Sequence, residues 1–184
     1  MAPLVSEVEV AGLSLGTARK ATNGIVTQPL IYQGNRQTEF QLDGEVTGAY
    51  NLSSFDGSNA TRLTASFTID SQQQALLTGI ESAVAALAGA TSLRSNVKLR
   101  EGFPPLFKCK VDTERLQCFD ASGAETKAPG EWAGVRFKVI VSPRSYYKQA
   151  QGDGVIWDLV AVQILGAVAP QKPSFRKLRD LPWQ

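Results

Sequence analysis

Residues 142–165, SPRSYYKQAQGDGVIWDLVAVQIL, gather Arg144, Tyr146, Tyr147 and Lys148 before a Gly-Asp-Gly turn and place Trp157 after it. Rings and cations together hold flat, anionic molecules, because an exposed ring stacks a planar group while a guanidinium or ammonium pairs with phosphate. More cations precede the hairpin. PPLFKCKV sets Lys108 and Lys110 opposite Phe107, Cys109 and Val111, and VRFKVIV sets Arg136 and Lys138 opposite Val135, Phe137, Val139 and Val141. If these strands pair or face one groove, their cations form a stripe that follows a phosphate backbone without reading bases. Arg94, Lys98 and Arg100 flank it. Neighbouring tyrosines on a strand point to opposite faces, so one of Tyr146 and Tyr147 is expected in the core and the other exposed. Trp132, after a Gly-Glu turn, is expected to be exposed, whereas Trp157 in its apolar strand is expected to be core.

Charge agrees with such a surface. Residues 1–93 carry four Lys/Arg against eight Asp/Glu and residues 94–184 fifteen against nine, so halves of −4 and +6 make up the net +2. The asymmetry suggests a basic face for an anionic partner, and a solvated rim is the plain alternative.

Other chemistry is thinly represented. The chain has no histidine, which removes Ser-His-Asp and Cys-His catalysis and the commonest zinc ligand. Cys109 and Cys118 are too few for a disulfide framework and read as free thiols in a reducing compartment. Asp112, Glu114 and Asp120 fall on turns, and nothing raises them to catalytic groups. A binding protein without enzymatic activity, metal or cofactor is therefore expected, and a carboxylate enzyme is the weakest reading. Met1–Gly16 lacks the pattern of a signal peptide, and no apolar run approaches the ~20 residues that span a bilayer. An intracellular, non-membrane protein is expected.

The elements that must position these groups are short strands. SEVEVAGLSLG and TEFQLDGEV alternate apolar and polar residues, and Asn23-Gly24 marks a hairpin turn. TRLTASFTID puts Leu63, Ala65, Phe67 and Ile69 on one face. The period then changes: Leu76, Ile80, Val84 and Leu87 recur at helical spacing, predicting a helix over about residues 71–88, capped by Asp70 or Ser71 and closed by Gly89. Its outward face is read as Gln, Ser and Glu81. GVIWDLVAVQIL is almost wholly apolar and reads as a central strand buried on both sides. Residues 1–168 are thus read as one mainly β domain, a small closed or partly open barrel carrying one main helix. Residues 169–184, APQKPSFRKLRDLPWQ, read as an extended basic tail.

Three segments in order, FDGSNATRLTASFTIDSQQQALLTGIESAV, GFPPLFKCKVDTERLQCFDASG and GVRFKVIVSPRSYYKQAQGDGVIWDLVAVQIL, resemble the single-stranded DNA-binding proteins of bacteriophages and large DNA viruses. The resemblance spans about residues 50–165 and implies an OB-fold barrel that binds single-stranded DNA with little sequence preference during replication, recombination or repair. It places Lys108 and Lys110 on a Lys-x-Lys strand, and Tyr146, Trp157 and Gln163 in the closing motif. Phage members of that family often end in an acidic tail, whereas this tail is basic. The tail is therefore expected either to add DNA affinity or to dock replication or recombination proteins through Trp183. The resemblance also implies a bacterial cytoplasm for a phage protein, or host cytoplasm or nucleus for a eukaryotic virus. Homo-oligomerisation is left open. The alternative from another class is a β-rich viral coat-like subunit with a basic arm on its genome.

Overall fold

The structure, a computed structural model, describes residues 2–54, 61–90 and 92–167. The Phe55-Asp56-Gly57 start of the first family-like segment and the basic tail from residue 169 lie outside the described residues. Among the described residues, two short 3-10 turns (Val5–Glu7 and Val10–Gly12) precede eleven strands and one α-helix in chain order: β1 (Leu13–Leu15), β2 (Arg19–Lys20), β3 (Val26–Tyr32), β4 (Phe40–Gln41), β5 (Val46–Gly48), β6 (Arg62–Thr68), α1 (Ser71–Ala88), β7 (Val97–Arg100), β8 (Phe103–Asp112), β9 (Gln117–Phe119), β10 (Val135–Lys148) and β11 (Gly154–Ala167).

Five strands form a ring. β5 pairs with β6 and β6 with β8, all antiparallel; β8 meets β11 in parallel, and β11 returns through β10 to β5. That is the Greek-key ring of an OB barrel. It is partly open, because β8 and β11 share one pair in register, Lys110 with Asp158. β10 and β11 are long enough to curl around it because register shifts interrupt their pairing between Arg136 and Phe137, Ile140 and Val141, and Pro143 and Ser145. Such bulges bend a strand and re-aim the extra residue. β3 extends the sheet beyond the far end of β10, pairing Val26 with Lys148, and β2 pairs with β3 in turn.

The alternation read from the sequence fills the ring. Phe67, Phe107, Cys109, Phe137, Val139, Val141, Trp157 and Leu159 are buried in one core cluster, with Trp157 edge-on to Phe107 at 5.5 Å between centroids. Both cysteines are free and buried, and burial pushes the Cys109 thiol far above its ordinary range. β11 departs from its predicted role. Its inner residues Val155, Trp157 and Leu159 are buried, but Ile156, Asp158 and Val160 are only half-buried. Over residues 155–160 the strand covers the core with one face, whereas Ala161 and Val162, where β9 pairs alongside, are both buried.

The helix has the predicted span and caps. Asp70 Oδ1 accepts from the Gln73 amide at 2.7 Å, Gln73 Oε1 accepts from the Asp70 amide at 2.9 Å, and Gly89 closes the end at φ 66°. Its polar face is corrected. Gln73 is buried and donates to the Asp43 and Glu45 carbonyls at 2.7 and 2.9 Å. Glu81, expected in solvent, is wholly buried; it accepts from Ser95 Oγ at 2.6 Å and from the Asn96 amide and Nδ2 at 3.0 and 3.1 Å. Helical periodicity reports apolar residues only, so a carboxylate that ties the helix to the loop leading into β7 reads as surface. Among the described residues, no helix is long and apolar enough to cross a membrane.

Glu81→Ala leaves these donors without their acceptor. A loss of about 2–4 kcal/mol in urea unfolding is expected, and a loss below ~1 kcal/mol would contradict a structural role for the carboxylate.

Candidate nucleic-acid interface

Residues directly opposed in antiparallel strands share a face, so the inward phase of Phe107, Cys109 and Val111 forces Leu106, Lys108 and Lys110 outward. The register then assembles rows across three strands. Lys98 on β7 opposes Leu106, which opposes Thr68 on β6; Lys108 opposes Ser66, and Lys110 opposes Thr64. Lys98 and Lys110 are exposed and Lys108 half-buried. Three ammonium groups therefore occupy the outer face of β7, β8 and β6 with the half-buried Thr64 and Thr68, while Leu106 and Ser66 in the same rows are covered, at 3% and 7% exposed.

Beyond Lys110 the row continues to Asp158 on β11 and Ser142 on β10. Arg144 is the extra residue of the bulge between Pro143 and Ser145. Its Nε donates to Asp158 Oδ2 at 2.5 Å, with the arginine side chain 56% exposed. A carboxylate thus sits between the Lys110 position and an arginine whose remaining donors face solvent.

At the β10–β11 hairpin, Tyr147 lies against Gly154, where an added Cβ would meet the phenol oxygen at 2.7 Å. Arg94 lies against Gly152, whose φ of +126° suits glycine, and its amide donates to the Asp153 carbonyl at 2.7 Å. Lys148 is exposed beside them. Register adds two cations that sequence reading passed over: Arg19 shares a row with Thr27 and Tyr147, and Lys20 one with Val26 and Lys148. β2 is two residues long, too short for a periodic signal, so only the pairing reveals them.

Four expectations are corrected. Tyr146 faces inward, is 1% exposed and donates its hydroxyl to Asp153 Oδ2 at 2.6 Å; burial, then the bond to Asp153, push its phenol well above the ordinary range. Trp132 is 3% exposed, not a surface ring. Its carbonyl oxygen fills the space at Gly48 where a Cβ would stand, its amide donates to Asn51 Oδ1 at 2.8 Å, and its ring packs 5.0 Å from Phe137. Arg136 and Lys138 do not continue the stripe of Lys108 and Lys110. β11 separates β10 from β8, and Lys138 lies four residues from Ser142, roughly 13 Å along the strand. Arg136 Nη1 donates to Glu45 Oε2 at 3.1 Å, and Lys138 lines a separate cavity of about 290 Å³ with Phe119, Ile140 and Gln163.

Sequence reading also missed rings. Tyr50 and Phe103 are 51% and 66% exposed, and Leu99 is 70% exposed. Arg100 joins them: Nη1 donates to Tyr50 Oη at 3.1 Å, Nη2 to the Pro104 carbonyl at 3.3 Å, and Cζ stands 5.1 Å from the Phe103 ring centre. The β7–β8 hairpin therefore reaches across β6 to the β5–β6 connection. Between Leu106 and Phe103 β8 carries one residue more than β7, a shift that sets Phe103 opposite Arg100 in the phase of Lys98, and β6 ends opposite Leu106, so Phe103 overhangs the ring and escapes the core.

No family model and no curated protein matches the sequence. Solved structures do. The crystal structure of gp2.5, a single-stranded DNA-binding protein encoded by bacteriophage T7, matches at TM-score 0.58 and 14% identity, covering 74% of this chain and 96% of that one. The single-stranded DNA-binding protein of bacteriophage Enc34, in complex with single-stranded DNA, matches at TM-score 0.51 and 11% identity, covering 85% and 98%. Its C-terminal truncation matches at 0.50 and 10%, covering 88% and 99%. At such identities the likeness is one of fold: this chain has the OB-type fold of those phage proteins.

Proposed function

We propose that this protein binds single-stranded DNA non-enzymatically and with little sequence preference, laying the strand over the outer face of β6, β8 and β7. The observation that carries the reading is the alignment of Lys98, Lys108 and Lys110 on that face beside Thr64 and Thr68. Ammonium groups hold phosphates by releasing counterions, hydroxyls add hydrogen bonds, and neither reads a base. The likeness to two phage single-stranded DNA-binding proteins, one of them in complex with single-stranded DNA, supports the same ligand. Arg144, with Arg94, Tyr147 and Lys148 at the hairpin, extends the track, and Arg19 and Lys20 lie at its end. Arg136 and Lys138 occupy another stretch and are assigned a lesser part. Protection of single strands during replication, recombination or repair follows from this activity.

A fluorescent oligo-dT titration at two salt concentrations tests the reading. Affinity falls steeply with salt, and no binding at low salt, or binding indifferent to salt, overturns it. In Lys108→Gln/Lys110→Gln, the loss of two phosphate contacts at ~0.7 each lowers the slope of log K against log salt by about 1.4; an unchanged slope removes these lysines from the interface.

Asp158 gives a prediction of opposite sign. Its carboxylate competes with phosphate for Arg144 and lowers the potential around Lys110. Asp158→Asn is expected to tighten oligo-dT binding about three- to tenfold at low salt, with the gain shrinking as salt rises. Equal or weaker binding would show that the carboxylate serves to hold Arg144 in place.

A further inference from the structure

We infer that Tyr50, Arg100 and Phe103 form a clamp for unpaired nucleobases, which gives the basic face its preference for single strands over duplex; the inference rests on the strand-binding reading above. Single exposed apolar residues are ordinary on a protein surface, but contiguous ones mark a contact site. Of five exposed large hydrophobic residues among those described, three, Tyr50, Leu99 and Phe103, are gathered around one arginine or adjoin it in sequence. Nothing described in the protein covers them.

Their geometry favours a flat ligand. Arg100 is fixed at both terminal nitrogens, by Tyr50 Oη and by the Pro104 carbonyl, while its Nε is buried without a partner. A guanidinium so anchored holds the Tyr50 and Phe103 rings in a set relation, and little rotamer freedom remains to be lost when a base slides against them. Both ring types stack on any base, because every base has a π-face.

Charge selects among flat ligands. Arg100 lies two residues from Lys98, which begins the outer row running through Leu106 to Thr68. A strand entering the clamp by a base therefore meets ammonium groups with its phosphates. An apolar protein segment would fill the ring patch but leave those cations unmatched. Duplex bases are already stacked and paired, so a duplex would meet the cations without using the rings.

The test compares Tyr50→Ala, Phe103→Ala and the double variant with the full-length wild type, using oligo-dT, oligo-dA and a duplex of equal length. Each single replacement is expected to weaken single-strand binding about five- to hundredfold whatever the base, to leave the salt slope unchanged because the phosphate contacts remain, and to leave duplex binding unchanged. Phe103→Trp, which keeps a ring, retains affinity. Unchanged single-strand affinity in the double variant overturns the clamp while leaving the basic face intact. An equal loss on duplex overturns its role in selectivity. Wild type that binds no oligonucleotide overturns both readings. Circular dichroism and the melting temperature of each variant separate these results from a failure to fold.

Discussion

The position of β11 between β10 and β8 is the constraint on which the remaining structure depends. It pairs with β10 from Tyr147–Gly154 to Val135–Ala167 and closes the ring with one parallel pair to β8. Once the ring closes, strand alternation leaves each residue a core place or an outer one. Phe107, Cys109 and Val111 take the core, and Lys108 and Lys110 have only the outer face left. A cation turned inward would lose its hydration without a partner, at a cost far above any single contact in the fold. The basic face is thus the complement of the core, set by the same period.

The departures from regularity fall where charge is placed. The bulge at Arg144 turns an arginine toward Asp158, the row of Lys110 brings a lysine to the same carboxylate, and the overhang of β8 beyond β6 frees Phe103. Each couples backbone geometry to the electrostatics or the exposed rings of one surface. The buried polar contacts serve the scaffold instead: Glu81 ties the helix to Ser95 and Asn96, and Asn96 Nδ2 donates to the Val155 carbonyl at 2.6 Å where β11 begins.

The sequence was most legible where one period ran unbroken. The helix over 71–88, the inward sets of β6, β8 and β10, and the core placement of Trp157 follow from local alternation. It was least legible where partners distant in sequence decide the outcome. Trp132 is buried because Gly48 and Asn51, more than eighty positions away, make room for it and bind its amide. Tyr146 and Tyr147 divide as adjacent strand residues must, but only the ring shows which one faces in. The stripe proposed for Lys108, Lys110, Arg136 and Lys138 required neighbouring strands, and pairing order cannot be read from phase. Tyr50 and Phe103 carried no periodic signal, since Tyr50 stands in the bend after β5 and Phe103 where β8 outruns β6.

The central claim is that a single strand lies on the outer face of β6, β8 and β7. The most direct measurement is lysine acetylation followed by mass spectrometry, with and without saturating oligo-dT. The account predicts protection of Lys98, Lys108 and Lys110, with Lys127, exposed in the connection between β9 and β10, labelled as before. Protection confined to Lys138 and its neighbours, with Lys98, Lys108 and Lys110 still reactive, would contradict it.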